Sequence, residues 1–300
     1  MKTKIKHLFG AVLSLLAIFA SLNTATAQAG NNRIVYTHEI LGEVCSMNPD
    51  GSGNVILTSG SGFWAAWSFD QRFIAFNRST ILENTIFIMD ARGERNGGRI
   101  FPVIHNEAVG NTGLDWAPDA KKIVFEGSIG TQDGLWIMAV DPETEQLGTP
   151  ILMRAGPCAA PVWSPDGTKL AFVSYPAAAG ATITLLDLTN GAETFVASGY
   201  APSFSPDGGR IAFRGVGPVT KGNKTTFYSQ VFVANVDGTG ITQLTRQTDY
   251  INFPKWSPDS TQMAFWKKDA NGWSSIQKLT LATGAISLVR KSGQAPDWAP

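Results

Sequence analysis

The chain has 300 residues with 24 basic and 24 acidic side chains, 43% hydrophobic residues, 31 glycines and two cysteines. Balanced charge of this kind excludes a broad basic surface for nucleic acid or anionic lipid and excludes a disordered polyelectrolyte. Two cysteines cannot form a disulfide framework, so a hydrophobic core has to hold the fold.

The first predicted element is a targeting segment. Lys2, Lys4 and Lys6 form a basic n-region, residues 8–22 are apolar, and Ala25-Thr26-Ala27 places small residues before a cleavage site at Gln28. The apolar stretch is short for a membrane span, which needs about 20 residues. No cysteine lies near the cleavage site, so a lipoprotein anchor is not expected. Cleavage takes three lysines and no acid, leaving 21 basic against 24 acidic side chains, a net charge of −3. The expected domains are a signal over 1–27 and one globular unit over 28–300, with the mature chain periplasmic or secreted and free of a transmembrane anchor.

From residue 33 the pattern becomes β throughout. Residues 33–36, 44–47 and 55–57 are short apolar runs at strand spacing. A phrase then begins that returns along the chain. It is Trp67-Ser68-Phe69-Asp70 with Phe73-Ile74-Ala75-Phe76, then Trp116-Ala117-Pro118-Asp119 with Ile123-Val124-Phe125. Its fullest forms are Trp163-Ser164-Pro165-Asp166-Gly167, Phe204-Ser205-Pro206-Asp207-Gly208 and Trp256-Ser257-Pro258-Asp259, each followed by an apolar-Ala-Phe triplet. Asp297-Trp298-Ala299-Pro300 ends the chain. The aromatic anchors are 49, 47, 41, 52 and 42 residues apart, a period that means a propeller or an array.

Each phrase reads as a hairpin. Proline presets φ at the first central turn position, aspartate suits the second, and glycine takes the positive φ that follows. A third apolar run comes 10 to 18 residues later, at 86–89, 135–138, 183–186 and 231–234, and a fourth short one completes the unit, as at 242–245. Four strands in about 45 residues make one propeller blade. Residues 33–57 lack a first strand, and Asp297-Trp298-Ala299-Pro300 is a first strand with nothing after it. Joining the two closes a ring of six four-stranded antiparallel blades and leaves no free sheet edge within it. The fold class is therefore an all-β six-bladed propeller.

These units resemble the β-propeller repeats of the TolB family, also called WD40-like or PD40 repeats. The resemblance rests on the Trp/Phe-Ser-Pro-Asp-Gly and Ile-Ala-Phe pairs and on the turn at Val236-Asp237-Gly238-Thr239-Gly240, and it covers roughly residues 32–300. It implies the propeller fold. The full-length periplasmic protein carries an α/β domain before its propeller, for which this chain has no room, so a direct role in the Tol–Pal system is not expected.

Catalytic motifs are missing. There is no Gly-x-Ser-x-Gly elbow, no His-Glu-x-x-His and no Cys-x-x-Cys. His38 and Glu39 are neighbours, and neighbours on a strand face opposite ways. The anchor aromatics are expected to fill seams between blades, and Asp119, Asp166, Asp207 and Asp259 to bond their own turns. Cys45 and Cys158 fall in the first and fourth blades and are expected to be free thiols. Asp115, Lys255 and Asp297 each precede an anchor by one residue and are expected at the channel mouth as a self-neutralising rim. If His105 converges with Asp115 and Asp297, the alternative is a channel-metal enzyme of the lactonase or lyase kind.

Strand order divides the faces. The Ser-Pro-Asp-Gly turns share one face, and the irregular loops and blade connections share the other. Loops on a rigid scaffold concentrate binding residues, so the second face is the expected contact surface. Its candidates are Phe63, Trp64, His105, Tyr200, Lys221, Lys224, Phe227, Tyr228, Tyr250, Asn252 and Trp273. Tyr and Trp are favoured interface anchors. The function expected is non-catalytic binding of a protein, with a polysaccharide as the other occupant and no cofactor.

Overall fold

The computed structural model describes residues 32–79, 84–106, 113–177 and 180–300. The expected signal segment, 1–27, lies outside the described residues. Six antiparallel sheets follow one another around a ring. Blade 1 holds β1 (Ile34–His38), β2 (Val44–Met47) and β3 (Val55–Ile56). Blade 2 holds β4 (Phe63–Trp67), β5 (Phe73–Ser79), β6 (Asn84–Asp90) and β7 (Ile100–Asn106). Blade 3 holds β8 (Leu114–Trp116), β9 (Lys122–Ile129) and β10 (Gln132–Asp141), with β11 (Gln146–Leu147) and β12 (Ile151–Ala155) both paired to β10. Blade 4 is β13 (Cys158–Trp163), β14 (Lys169–Ser174), β15 (Thr182–Asp187) and β16 (Glu193–Ser198). Blade 5 is β17 (Tyr200–Phe204), β18 (Arg210–Lys221), β19 (Lys224–Asn235) and β20 (Thr242–Gln243). Blade 6 is β21 (Tyr250–Trp256), β22 (Gln262–Lys268), β23 (Ser274–Thr280) and β24 (Ala285–Lys291). The last strand, β25 (Gly293–Trp298), pairs with β1 and supplies the inner strand that blade 1 lacked.

The core is six seams. Each hydrophobic cluster draws on two adjacent blades and contains one anchor. Trp67 lies between blades 1 and 2, Trp116 between 2 and 3, and Trp163 between 3 and 4. Phe204, Trp256 and Trp298 fill the remaining three. The anchor recurs because every blade must bury the same inner corner against its neighbour.

The turn aspartates do local work. In blade 4, Ser164 Oγ donates to Asp166 Oδ1 at 2.6 Å, the Thr168 N–H donates to the same oxygen at 3.0 Å, and the Lys169 N–H donates to Ser164 Oγ at 2.9 Å. The bond from Ser164 holds the Asp166 carboxyl below its usual range. Ser257, Asp259 and Thr261 repeat the pattern in blade 6. The residue after that aspartate has positive φ, 71° at Gly167 and 57° at Ser260. A side chain in that region is strained by roughly 1–2 kcal/mol, against about 0.5–1 kcal/mol of extra entropy lost by glycine. Ser260→Gly is therefore expected to raise stability by about 0.5–1 kcal/mol, seen as a higher urea midpoint at unchanged slope.

Cys45 is on β2 and Cys158 on β13, three blades apart, and both are free. Burial pushes the Cys45 thiol up to about 11 and the Cys158 thiol to about 12, so neither forms a thiolate readily at neutral pH.

Candidate functional site

The inner strands β25, β4, β8, β13, β17 and β21 surround a central channel, and the same three layers recur in each. One residue before the anchor comes the waist, formed by Asp297, Ala66, Asp115, Val162, Ser203 and Lys255. Three residues before the anchor, the backbone turns left-handed. φ is 56° at Trp64, 49° at Ala160, 50° at Ala201, 51° at Phe253 and 43° at Ala295. Gly113 holds the sixth position. In the five strands with a left-handed residue the register slips at these points, so each of the five carries a β-bulge that turns its side chains onto the channel.

The waist is charged and clasped. Lys255 Nζ lies 2.9 Å from Asp297 Oδ1. The other oxygen of Asp297 accepts the Trp67 N–H of the next blade at 2.9 Å, and Asp115 Oδ2 accepts the Trp163 N–H of the next blade at 2.8 Å. These acids tie adjacent blades together. They lie at the channel waist and not at its mouth, which corrects the expected position of the rim. Enclosure by protein raises Asp115 to about 7, with Asp297 adding to the rise, while Lys255 and the Trp163 N–H oppose it. Burial works against the Lys255 ammonium, but the carboxylates of Asp297 and Asp115 more than offset it and hold its pKa above the usual value.

An acid whose folded pKa is raised keeps its proton better in the native state than in the unfolded state. Its contribution is most favourable below about pH 4, weakens as pH rises, and is fully lost above about 7. Asp115→Asn keeps an acceptor for Trp163 N and removes that loss. Chemical denaturation should find the variant gaining stability relative to wild type between pH 4 and 7. A constant difference across that range would count against the shifted carboxyl.

On the Ser-Pro-Asp face the channel widens into a cavity of about 290 Å³ lined by Trp67, Trp163, Phe204, Trp256 and Trp298 and by the turn prolines. Sequence reasoning missed it, because it treated that face as plain turns. Its walls are the seam anchors and the turns themselves, so the residues there already have a structural task.

The loop face is different. Trp64 and Phe253, from blades 2 and 6, meet at the channel mouth with ring centroids 4.7 Å apart. Phe253 also stacks on Trp266, and Tyr250 meets Trp266 edge-on at 5.7 Å. The Arg214 guanidinium lies 3.8 Å from the ring centre of Tyr200, and its Nη1 donates to the Tyr250 hydroxyl at 2.9 Å. Asn252 Nδ2 donates to that hydroxyl at 3.2 Å. A pocket of about 140 Å³ opens among Trp64, Tyr175, Tyr200, Arg214, Asn252 and Phe253.

The structure thus gathers Trp64, Tyr200, Tyr250 and Asn252. Phe63, at the start of β4, is exposed, and its ring lies against the turn at Gly42 in blade 1 instead of joining them. His105 is on β7, and its side chain lies outside the described residues. Lys221, Lys224, Phe227 and Tyr228 were expected on a loop. They stand instead on a long hairpin, β18 paired with β19 through Lys221 opposite Lys224. Gly215 to Tyr228 reads as a loop, yet Gly215 and Gly217 are packing devices. A Cβ on Gly217 would come within 2.8 Å of the Phe232 ring. Trp273 is exposed in a separate depression with Leu288 and Lys291 at the outer edge of blade 6 and does not join the mouth. Phe253, Trp266, Tyr175 and Arg214 were missed. Arg214 and Trp266 sit just past the Ile-Ala-Phe and Met-Ala-Phe triplets, and that offset from the repeat was the available signal. Among the described residues no three carboxylate, imidazole or thiol groups come together as a metal site, and no helix is long and apolar enough to cross a membrane.

Comparison with known proteins agrees with this architecture. A curated relative, dipeptidyl-peptidase 5 of Porphyromonas gingivalis, is 24% identical over 313 aligned positions covering 85% of this chain. The chain spans 44% of that relative's length. Among solved structures, TolB from Acinetobacter baumannii superposes with a TM-score of 0.71 at 17% identity, covering 95% of this chain and 70% of that one. A chain of the nidogen/laminin complex superposes at 0.64 with 9% identity, covering 90% and 99%. Residues 131–300 match the family model of the TolB beta propeller domain (PD40). With that match over more than half its length, on six blades that repeat one phrase, the chain belongs to the TolB β-propeller family.

Proposed function

We propose that the protein is an exported, non-catalytic propeller that holds a protein partner at the loop-face mouth of its channel. The observation that carries this is the cluster of Trp64, Phe253, Trp266 and Tyr250 with Arg214. Trp64 and Phe253 stand at bulge positions that other blades fill with Ala160, Ala201 and Ala295, so these two blades alone place a large aromatic ring there. None of the four aromatics is a seam anchor. A rigid aromatic patch around a concavity is the usual centre of a protein contact. The nidogen/laminin neighbour comes from a structure of a protein complex, which favours the same use of the fold.

The leader at 1–27 supports export to the periplasm or beyond, with 28–300 as the mature propeller. The channel-metal alternative is disfavoured by the donor set, because Lys255 Nζ already pairs with Asp297. Metal analysis of protein purified without chelator tests it directly.

The test of the main reading is partner capture with the chain carrying Trp64→Ser and Tyr200→Ser. Removing interface anchors should weaken binding by 2 kcal/mol or more, roughly 30-fold, with little change in melting temperature. Unchanged capture would show that the partner uses another face.

A further inference from the structure

Among the described residues Arg214 is a cation without a counter-charge. No carboxylate among the described residues forms an ion pair with it, and its Nε is buried with no hydrogen-bond partner. One Nη1 bond goes to the Tyr250 hydroxyl, while the rings of Tyr200 and Tyr250 flank the guanidinium at 3.8 and 5.4 Å. Guanidinium has five donors in a fixed fork that matches a carboxylate with two parallel bonds. Stacking on aromatic rings holds that fork in one orientation and limits the entropy lost on binding.

The Arg214 side chain lines the pocket of about 140 Å³. Around it the walls are Trp64, Phe253, Ala160, Ala201 and Val173, and the polar groups are Arg214, Asn252 and the phenols of Tyr175 and Tyr200. Glu126 is the acid that approaches this region, where its Oε2 accepts the Ala160 N–H at 2.7 Å. Tyr175 lies within electrostatic reach of both Glu126 and Arg214.

We propose that this pocket is a carboxylate subsite of the mouth, taking a peptide through either its free C-terminal carboxylate or an acidic side chain. The inference rests on the reading of the loop face as a protein-binding surface. A uronic acid is the poorer fit. Its ring hydroxyls need a dense set of partners, and most of this wall is apolar. The pocket continues into the channel mouth through Trp64, Ala160, Ala201 and Phe253, which line both. A peptide anchored at Arg214 therefore has a path across the bulge ring.

The experiment titrates the mature chain with acetyl-Ala-Phe bearing a free carboxylate, with acetyl-Ala-Phe amide, and with acetyl-Ala-Glu amide, followed by calorimetry. A hydrogen-bonded charge pair predicts that one of the acids binds at least about tenfold tighter than the neutral amide. Arg214→Gln should erase that advantage. Advantage in the first peptide assigns a C-terminus, and advantage in the third assigns an acidic side chain. Equal binding of all three, no binding up to millimolar peptide, or an advantage that survives Arg214→Gln would overturn the proposal. The acid–amide comparison on wild type stands even if the variant fails to fold. Should the peptides fail while the Trp64 and Tyr200 substitutions still weaken partner capture, the subsite falls and the binding face remains. Failure of both removes the face as well.

Discussion

Trp116→Ala is expected to lower the free energy of unfolding by ~3–5 kcal/mol. Trp116 is fully buried in the seam between blades 2 and 3, among Phe73, Ile88, Phe101, Phe125 and Trp136. A buried tryptophan removes about 150–250 Å² from water, worth roughly 4–6 kcal/mol gross at ~25 cal/mol/Å². The neighbours sit on strands held by ladder bonds to their own blades, so they cannot collapse into the space left. The change should appear as a melting temperature lowered by roughly 10 °C with the folded protein still ring-shaped. Partner binding per folded molecule should not change, because the anchor lies away from the loop-face cluster. A variant that melts as wild type, or one that keeps its stability and loses binding, would remove the seam assignment.

Deleting residues 293–300 should abolish cooperative folding. Those eight residues include β25, the inner strand of blade 1. β25 pairs with β1, Trp298 fills the seam between blades 6 and 1, and the Ala299 N–H donates to the Arg33 carbonyl at 2.7 Å. Asp297 bridges outward to Lys255 of blade 6 and to the Trp67 N–H of blade 2. Removing the strand leaves an unpaired β1 edge and opens two seams at once. Circular dichroism and urea titration of the truncated chain should show no cooperative transition from a native baseline. A graded form is Asp297→Ala, which leaves the enclosed Lys255 ammonium without its partner. Breaking such a pair costs about 3–5 kcal/mol. If the truncated chain unfolds cooperatively at the wild-type midpoint, ring closure by β25 is not what holds the propeller.

The repeat was legible because a propeller solves one packing problem six times. Trp67, Trp116, Trp163, Phe204, Trp256 and Trp298 return at one period since each must fill an equivalent seam, and the Ser-Pro-Asp turns return since each joins an inner strand to the next. The blade strands followed from apolar runs at strand length. The long hairpin of blade 5 did not, because Gly215 and Gly217 look like loop residues until Phe232 is placed against them.

The candidate site was legible only in part. Trp64, Tyr200, Tyr250 and Asn252 stand out as polar or aromatic residues near the blade connections, and strand order alone puts them on one face. Their meeting with Phe253, Trp266 and Arg214 depends on which blades become neighbours after ring closure. Blades 2 and 6 lie some 190 residues apart in sequence and flank blade 1 in space, which lets Trp64 reach Phe253.

The sequence by itself determined the local unit. Turn chemistry and apolar alternation act over a few residues, and their repetition sets the number of blades and the joining of the two ends. Only the tertiary structure decided the channel's charge and the shape of its mouth. Asp115 is raised by its enclosure and by Asp297, Lys255 finds Asp297 across a blade boundary, and Arg214 lies between two tyrosines from different strands. Electrostatic and stacking energies depend on distances through space, and those distances exist only once the ring has closed.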